Sequence, residues 1–369
     1  MNRRDFTALS ALTMASASLA HLPRALAGDS APAAPAGPVG FAAVGLGTIC
    51  DLFMRACTSS SKAKITALVT DNPDTKGAHY ADLYGIPNSS IYTYDDFDRI
   101  RDNRQVEAVY IGLPNSLHRD FTLRAAQAGK HVLCEKPMAV SSTECRTMID
   151  ACHKAGVKLM IAYRVQYDPT WNRAIELIKS GVIGQLQSFQ GGFLGQQAPG
   201  AWRLSRTLGG GGALLDLGIY PLNAIRHITG EEPSNFTAVV ATRDTSGRFA
   251  EVEQSMEWTM KFPSGILASC GCSYGQSGNG FLNVYGDKGY LALDPGFYYD
   301  GVHLRVFVNY KQVMDEFGTG KVPFQFTLEA DHFADCIRHD KQPESPGEEG
   351  LKDMLAIEAI YRAAGASIA

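Results

Sequence analysis

The stretch Gly40-Phe41-Ala42-Ala43-Val44-Gly45-Leu46-Gly47-Thr48-Ile49-Cys50 describes a short buried strand that runs through a glycine turn into a helix. Five uncharged residues before the turn suit a strand covered on both faces. Gly45 permits the tight turn and Gly47 lets the backbone approach a pyrophosphate. A helix opening at Thr48 and Ile49 turns free N–H groups toward phosphates. Glycine-rich strand-to-helix turns without a ligand are common, so the spacing gains its meaning from this context. Cys50 stands where Gly or Ala is usual, and its bulk is expected to loosen the packing of helix on strand.

Outward from this turn, apolar runs alternate with helical patterns as far as residue 162. Residues 65–69, 108–111, 131–134 and 158–161 have strand character, and 117–128 form a helix closed by Gly129. This order predicts a doubly wound parallel sheet covered on both faces. After Arg164 the period changes. One amphipathic helix over 169–179 leads into period-two strands at 187–193, 235–242, 251–262, 265–273, 280–286 and 290–294. Two helices, 326–338 and 347–364, close the chain, the first packing back toward the domain junction. The expected fold class is α/β: an N-terminal Rossmann domain over 40–164, and over 165–369 a substrate-binding α+β domain with a large, open, mostly antiparallel sheet.

The 369 residues, 45% of them hydrophobic, suffice for two domains, and no internal repeat is visible. Uninterrupted apolar runs of about 20 residues are missing, which excludes a membrane-embedded bundle. Thirty-four basic residues against thirty-eight acidic ones, with no basic cluster beyond the N-terminus, leave no electrostatic footprint for nucleic acid. Small neutral molecules are the expected partners. The eight cysteines lack metal-ligand spacing, and no metal is expected; Cys270 and Cys272 suit two thiols on one face of a strand.

Asn2-Arg3-Arg4-Asp5-Phe6 is a twin-arginine pattern, residues 8–19 are weakly apolar, and Ala25-Leu26-Ala27 offers a cleavage site. Residues 1–27 are therefore expected to be a signal peptide that exports the folded protein to the periplasm, with an ordinary secretory signal or a chance basic start as alternatives. A Pro/Ala-rich arm follows over 28–39. Folding before export, in a reducing compartment, favours free thiols.

The end of the second strand selects the dinucleotide. An acid there suits the ribose hydroxyl of NAD, whereas small hydroxyl or cationic groups suit the phosphate of NADP. NADP follows if Thr70 holds that position and Lys76 turns inward, NAD if Asp71 holds it. NADP is preferred, because Asp71 falls one residue past the expected strand end.

Glu135-Lys136-Pro137 follows a buried strand at the sheet edge where ligands of such folds bind. A lysine is ordinarily a solvated surface charge, but the buried run before it and the restraint from Pro137 give Lys136 little freedom to turn away. After Gly209-Gly210-Gly211-Gly212, a helix places Asp216 and Tyr220 at i and i+4 on one face. Alone, these would be an ordinary helix-start acid and a half-buried tyrosine. With Lys136 they make a proton-transfer set. A tyrosine with an ordinary pKa near 10 needs roughly 4 kcal/mol to ionise at pH 7, and an adjacent ammonium and a positive nicotinamide ring reduce that cost.

These stretches resemble the Gfo/Idh/MocA superfamily, and within it the branch of periplasmic glucose-fructose and aldose-aldose oxidoreductases. The likeness runs through residues 108–118 and 128–139, Tyr163-Arg164, Tyr167-Asp168-Pro169, Trp202-Arg203-Leu204, Asp216 to Tyr220, 230–233 and 345–350. Most members carry His where Tyr220 stands; the glucose-fructose branch resembles this chain in using Tyr. The resemblance implies Tyr220 as general acid/base, Lys136 as the residue that favours its phenolate and binds the reacting hydroxyl, and Asp216 as an orienting group. It implies cofactor contacts at Gly45, Leu46, Gly47, Thr48, Ile49, Thr70, Lys76, Leu113, Pro114, Asn115, His118, Glu135, Lys136, Arg164, Trp202, Arg203 and Tyr298. The loop around Lys76 is one residue longer than in that branch, and the segment before Tyr298 one shorter.

The implied activity is a sugar oxidoreductase with tightly bound NADP(H). It would oxidise an aldose at C1 to an aldonolactone and reduce a second aldose or ketose to an alditol. The competing expectations are a dehydrogenase exchanging free NAD(P) and a non-catalytic dinucleotide- or sugar-binding protein. A periplasmic address favours retention, since soluble nicotinamide would not be available there. Monosaccharide partners and a homo-oligomer formed through the open sheet are implied as well.

Overall fold

The computed structural model describes residues 37–368; the expected signal peptide and most of the arm lie outside them. The first half alternates as the apolar runs require. It comprises β1 (Val39–Val44), α1 (Thr48–Thr58), β2 (Ala63–Val69), α2 (Ala78–Tyr84), β3 (Ile91–Tyr92), β4 (Ala108–Ile111), α3 (His118–Gln127), β5 (His131–Glu135), α4 (Ser142–Ala155) and β6 (Leu159–Ala162). The second half continues with α5 (Pro169–Lys179), β7 (Leu186–Leu194), α6 (Arg206–Gly209), α7 (Ile219–Thr229), β8 (Asn235–Ala241), β9 (Ser255–Lys261) and β10 (Leu267–Ser273). It ends with β11 (Gly280–Gly286), β12 (Gly289–Leu293), β13 (His303–Val308), β14 (Lys311–Phe317), α8 (Phe324–Arg338) and α9 (Gly347–Ala363).

Among the described residues the strands form two sheets. The first is parallel throughout, in the order β3-β2-β1-β4-β5-β6. Strand order reverses between β1 and β4, and the crevice outside their carboxyl ends is where such folds bind ligands. All six residues of β1 and all four of β4 are buried, as expected of strands covered on both faces. The Rossmann expectation is thus correct.

The second sheet runs β14-β13-β12-β11-β7-β10-β9-β8. It is antiparallel except for β7 beside β10, so it is mostly antiparallel as expected. β13 and β14 were not legible in the sequence. For β14 the burial shows why: as an edge strand it is exposed at almost every position and carries no alternation. The strand expected over 251–262 begins only at Ser255.

The helix α8 returns to the first sheet. It packs on α1, β1 and β2, with Phe333 6.2 Å from Phe41, and Arg338 clasps Glu107 through two bonds of 2.6 and 2.7 Å. Residues 324–338 therefore cover the parallel sheet, although the chain reaches them after the second sheet. The backbone N–H of Ile161 donates to Ser345 at 2.8 Å, which ties the 345–350 segment to β6.

Candidate active site at the carboxyl edge of the parallel sheet

Gly45 sits at φ +84°, and a side chain there would meet Leu113 Cδ2 at 2.5 Å. Only glycine serves this turn. α1 starts directly after Gly47 with no side-chain cap among the described residues, so its first N–H groups remain available to phosphates. Cys50 does not loosen the packing. It is fully buried, and the space it needs is left by Gly112 on the neighbouring strand end, where an added Cβ would lie 3.5 Å from that of Cys50.

These features open onto a cavity of about 850 Å³, within the usual range for ligand sites. Its wall includes Gly45, Leu46, Gly47, Thr48, Ile49, Lys76, Leu113, Pro114, Asn115, Glu135, Lys136, Arg164, Trp202, Arg203, Asp216, Tyr220 and Tyr298. One residue expected at the cofactor, Thr70, is not among the lining residues. Thr70 has no accessible surface: its backbone N–H extends the pairing with β3 by donating to Tyr92 at 3.0 Å, and its hydroxyl donates to Asp71 at 3.3 Å. Asp71 and Lys76, not Thr70, line that part of the cavity. His118 belongs to the cavity lining as expected, although its side chain is buried. Its Nδ1 and Nε2 bond the carbonyls of Pro137 and Leu113, each at 2.9 Å, so it joins two cavity loops.

The proton-transfer set assembles across both domains. Lys136, from the end of β5, donates from Nζ to the Asp216 carbonyl at 2.8 Å and to Asp216 Oδ1 at 3.2 Å. The same ammonium lies 4.5 Å from the centre of the Tyr220 ring. Asp216 occupies a π-helical turn, Leu214–Gly218, that runs directly into α7 bearing Tyr220. Its Oδ2 accepts from the Tyr274 hydroxyl at 2.9 Å and pairs with Arg203 Nε at 3.0 Å. Burial alone would raise the Asp216 pKa. The Lys136 and Arg203 charges and the Tyr274 hydroxyl more than offset it, and the carboxyl is held below its usual range. Lys136 shows the mirror case: burial disfavours its ammonium, but the Tyr220, Asp216 and Glu135 sites outweigh this and raise its pKa.

Arg164 holds a position the sequence did not reveal. Expected at the cofactor, it donates from Nη2 to the Tyr220 hydroxyl at 3.1 Å and to the Phe297 carbonyl at 2.7 Å. Its Nη1 donates to Gln325 Oε1 at 2.6 Å and to the Tyr298 carbonyl at 3.2 Å. Gln325 is fixed in turn by donating to Asp168, the N-cap of α5, at 2.7 Å. Tyr298 turns its own hydroxyl to Gly278 and Asn279, while the neighbouring Tyr299 ring lies under Arg164 at 4.3 Å. Tyr274, Phe297, Tyr299 and Gln325 carried no local signal, because each reaches the site through tertiary packing. Glu135 accepts from Tyr110 at 2.5 Å; burial raises its pKa, only partly countered by that hydroxyl and by Lys136 and Arg164.

The glycine cradle and the uncapped helix start fit a dinucleotide, and a phenol beside two cations at the far end of the same cavity fits proton transfer. Fold and site define an oxidoreductase on an NAD(P)-binding Rossmann domain, completed by a second sheet domain. Residues 39–163 match the oxidoreductase family with an NAD-binding Rossmann fold, GFO_IDH_MocA, and residues 171–292 match the GFO/IDH/MocA C-terminal domain. D-xylose 1-dehydrogenase [NADP(+)] of Haloarcula marismortui is 31% identical over 338 residues, 88% of this chain and 91% of that protein. 1,5-Anhydro-D-fructose reductase of Ensifer adhaerens is 27% identical over 87% of this chain and 95% of its own length. The crystal structure of aldose-aldose oxidoreductase from Caulobacter crescentus, complexed with glycerol, superposes with a TM-score of 0.85. It is 41% identical over 89% of this chain and 98% of that one. The chain belongs to the Gfo/Idh/MocA oxidoreductase family.

Proposed function

We propose that this protein is a sugar oxidoreductase that keeps NADP(H) bound and uses it in both directions. One aldose is oxidised at C1 to an aldonolactone, and a second aldose or ketose is reduced to an alditol. The observation that carries this reading is the Tyr220 hydroxyl, held by Arg164 at 3.1 Å beneath the Lys136 ammonium in a cavity that also contains the dinucleotide cradle. The relationship to the Caulobacter enzyme supports the two-sugar reaction.

The nicotinamide cofactor, when bound, accepts and returns the hydride. The chain's own residues manage the proton. Tyr220 takes the proton from the C1 hydroxyl of the first sugar as hydride leaves C1, and returns it to the carbonyl oxygen of the second as hydride arrives, so the two half-reactions balance. Lys136 places a positive charge 4.5 Å from the Tyr220 ring and orients the reacting hydroxyl. Asp216 holds Lys136, and Arg203 and Tyr274 hold Asp216. Lys76 supplies the cation for the NADP phosphate.

Export by the twin-arginine signal in residues 1–27 and work in the periplasm belong to the same proposal, since retention is what that compartment demands of a nicotinamide enzyme. So does a homo-oligomer through the sheet face opposite its helices, where Tyr290 stacks on Phe307 at 4.4 Å beside Tyr285. A second reading, a dehydrogenase exchanging free cofactor, draws on Asp71 at the cavity wall and on the xylose dehydrogenase relative. Extraction of nucleotide from exhaustively dialysed protein separates the two: retained NADP(H) supports the first, while an empty protein active only with added NAD(P) supports the second.

A further inference from the structure

The Gly209–Gly212 turn sits directly before Asp216, and its glycines are pressed from outside. A side chain on Gly210 would meet Val140 Cγ1 at 2.5 Å, and one on Gly211 would meet the Tyr361 hydroxyl at 2.6 Å. One on Gly212 would overlap the Glu253 carbonyl and lie 2.8 Å from its carboxylate. Glu253, in the loop before β9, accepts from the Gly212 N–H with Oε2 at 3.0 Å and from the Leu214 N–H with Oε1 at 3.0 Å. The Tyr361 hydroxyl of α9 donates to the same Oε1 at 2.7 Å. The Gly212 carbonyl in turn accepts from the Asp216 N–H at 3.3 Å. At its other end, the turn is tied to the cofactor half by Asn115 Nδ2, which donates to the Gly209 carbonyl at 2.8 Å.

We propose that Glu253 is a positioning residue for the reaction: with Tyr361 it clamps the glycine turn that sets where Asp216 and Tyr220 stand. Three donors meet two carboxylate oxygens, so the carboxylate is satisfied only by this arrangement. The carboxylate thereby takes up the N–H of Leu214, the first residue of the Leu214–Gly218 turn. Glutamine in its place keeps the size but sets an NH2 group against at least one donor, and the turn must shift. A displacement of about 1 Å is enough to cost about 100-fold in rate when a reacting geometry is lost.

The inference rests on the sugar-oxidoreductase reading, and its test keeps the two apart. In the full-length protein with its bound nucleotide, Glu253→Gln should lower kcat by at least about 10-fold while KM changes less than about 2-fold and nucleotide occupancy holds. Glu253→Asp, which keeps the charge, should recover part of the rate, and Glu176→Gln on the exposed face of α5 should match wild type. Hydrogen exchange of the backbone over 209–218 should accelerate in Glu253→Gln and stay unchanged in α3. Should Glu253→Gln not fold, Tyr361→Phe, which keeps the carboxylate and removes only the hydroxyl's bonds to Glu253 and to the Gly212 N–H, should show the same pattern at about 3-fold. An unchanged kcat in a folded variant, unaltered exchange over 209–218, or a joint loss of kcat, nucleotide and melting temperature would each overturn the positioning role. If wild type oxidises no aldose, the sugar reading fails, and the exchange measurement still decides whether the clamp exists.

Discussion

Arg164 donates from Nη2 to the hydroxyl oxygen of Tyr220 across 3.1 Å. Because arginine is donor only and always charged, the phenolic oxygen accepts this bond and its own proton is left free to point into the cavity. Lys136, 4.5 Å from the ring centre, adds a second positive charge. The arrangement leaves one proton on one oxygen able to move.

Tyr220→Phe should keep fold and bound nucleotide, because the ring still packs on Phe193 and Phe297 at 5.1 and 5.6 Å. Turnover should fall by at least about 100-fold, the scale of a positioned acid/base. Aldose oxidation and sugar reduction, assayed separately, should fall together; a variant that loses one and keeps the other near the wild-type rate would rule out a shared proton carrier.

Lys76→Ala should weaken retention of NADP(H) more than that of NAD(H), since Lys76 is the cation at the end of the wall where Asp71 stands. Nucleotide extracted after dialysis should shift from NADP(H) toward NAD(H) or toward an empty protein. Unchanged NADP(H) content would assign the phosphate to other groups.

Glu329 lies on α8 with no accessible surface, and neither carboxylate oxygen has a hydrogen-bond partner among the described residues. Burial pushes its pKa well above the carboxylate range; the Glu135 charge adds to this and Arg164 opposes it. The folded state therefore binds the proton more tightly than the unfolded chain, whose value is about 4.3. That contribution to stability is full below the unfolded value and is lost as pH rises through the folded one. Glu329→Gln lacks this loss. Its stability relative to wild type should climb with pH from about 4.3 upward, by at most about 1.4 kcal/mol per pH unit. Thermal unfolding of both proteins from pH 4 to 8 checks it, and a flat difference would show that Glu329 is not held as a buried neutral acid.

If the pair is the export address proposed above, Arg3→Lys with Arg4→Lys should leave the protein folded and active in the cytoplasm. Fractionation of cells expressing both forms measures this. Undiminished periplasmic activity in the double variant would exclude twin-arginine export.

The features that the sequence determined by itself are those whose physics is local. Gly45 marks the turn because its positive φ favours glycine, and the periods of the apolar runs separate a parallel half from an open-sheet half. Lys136, Asp216 and Tyr220 stood out because each lies in a short motif tied to its own strand end or helix start. Residues far apart in the chain had to wait for the fold. Tyr274 reaches Asp216 across 58 positions, and Gln325 reaches Arg164 across 161, through sheet register and the return of α8 to the first domain. Thr70 shows the finest case. Whether a residue at a strand end faces a ligand or the interior changes with a single step of register, and the bond from its N–H to Tyr92, which no local pattern announces, turns it inward and leaves Asp71 at the wall.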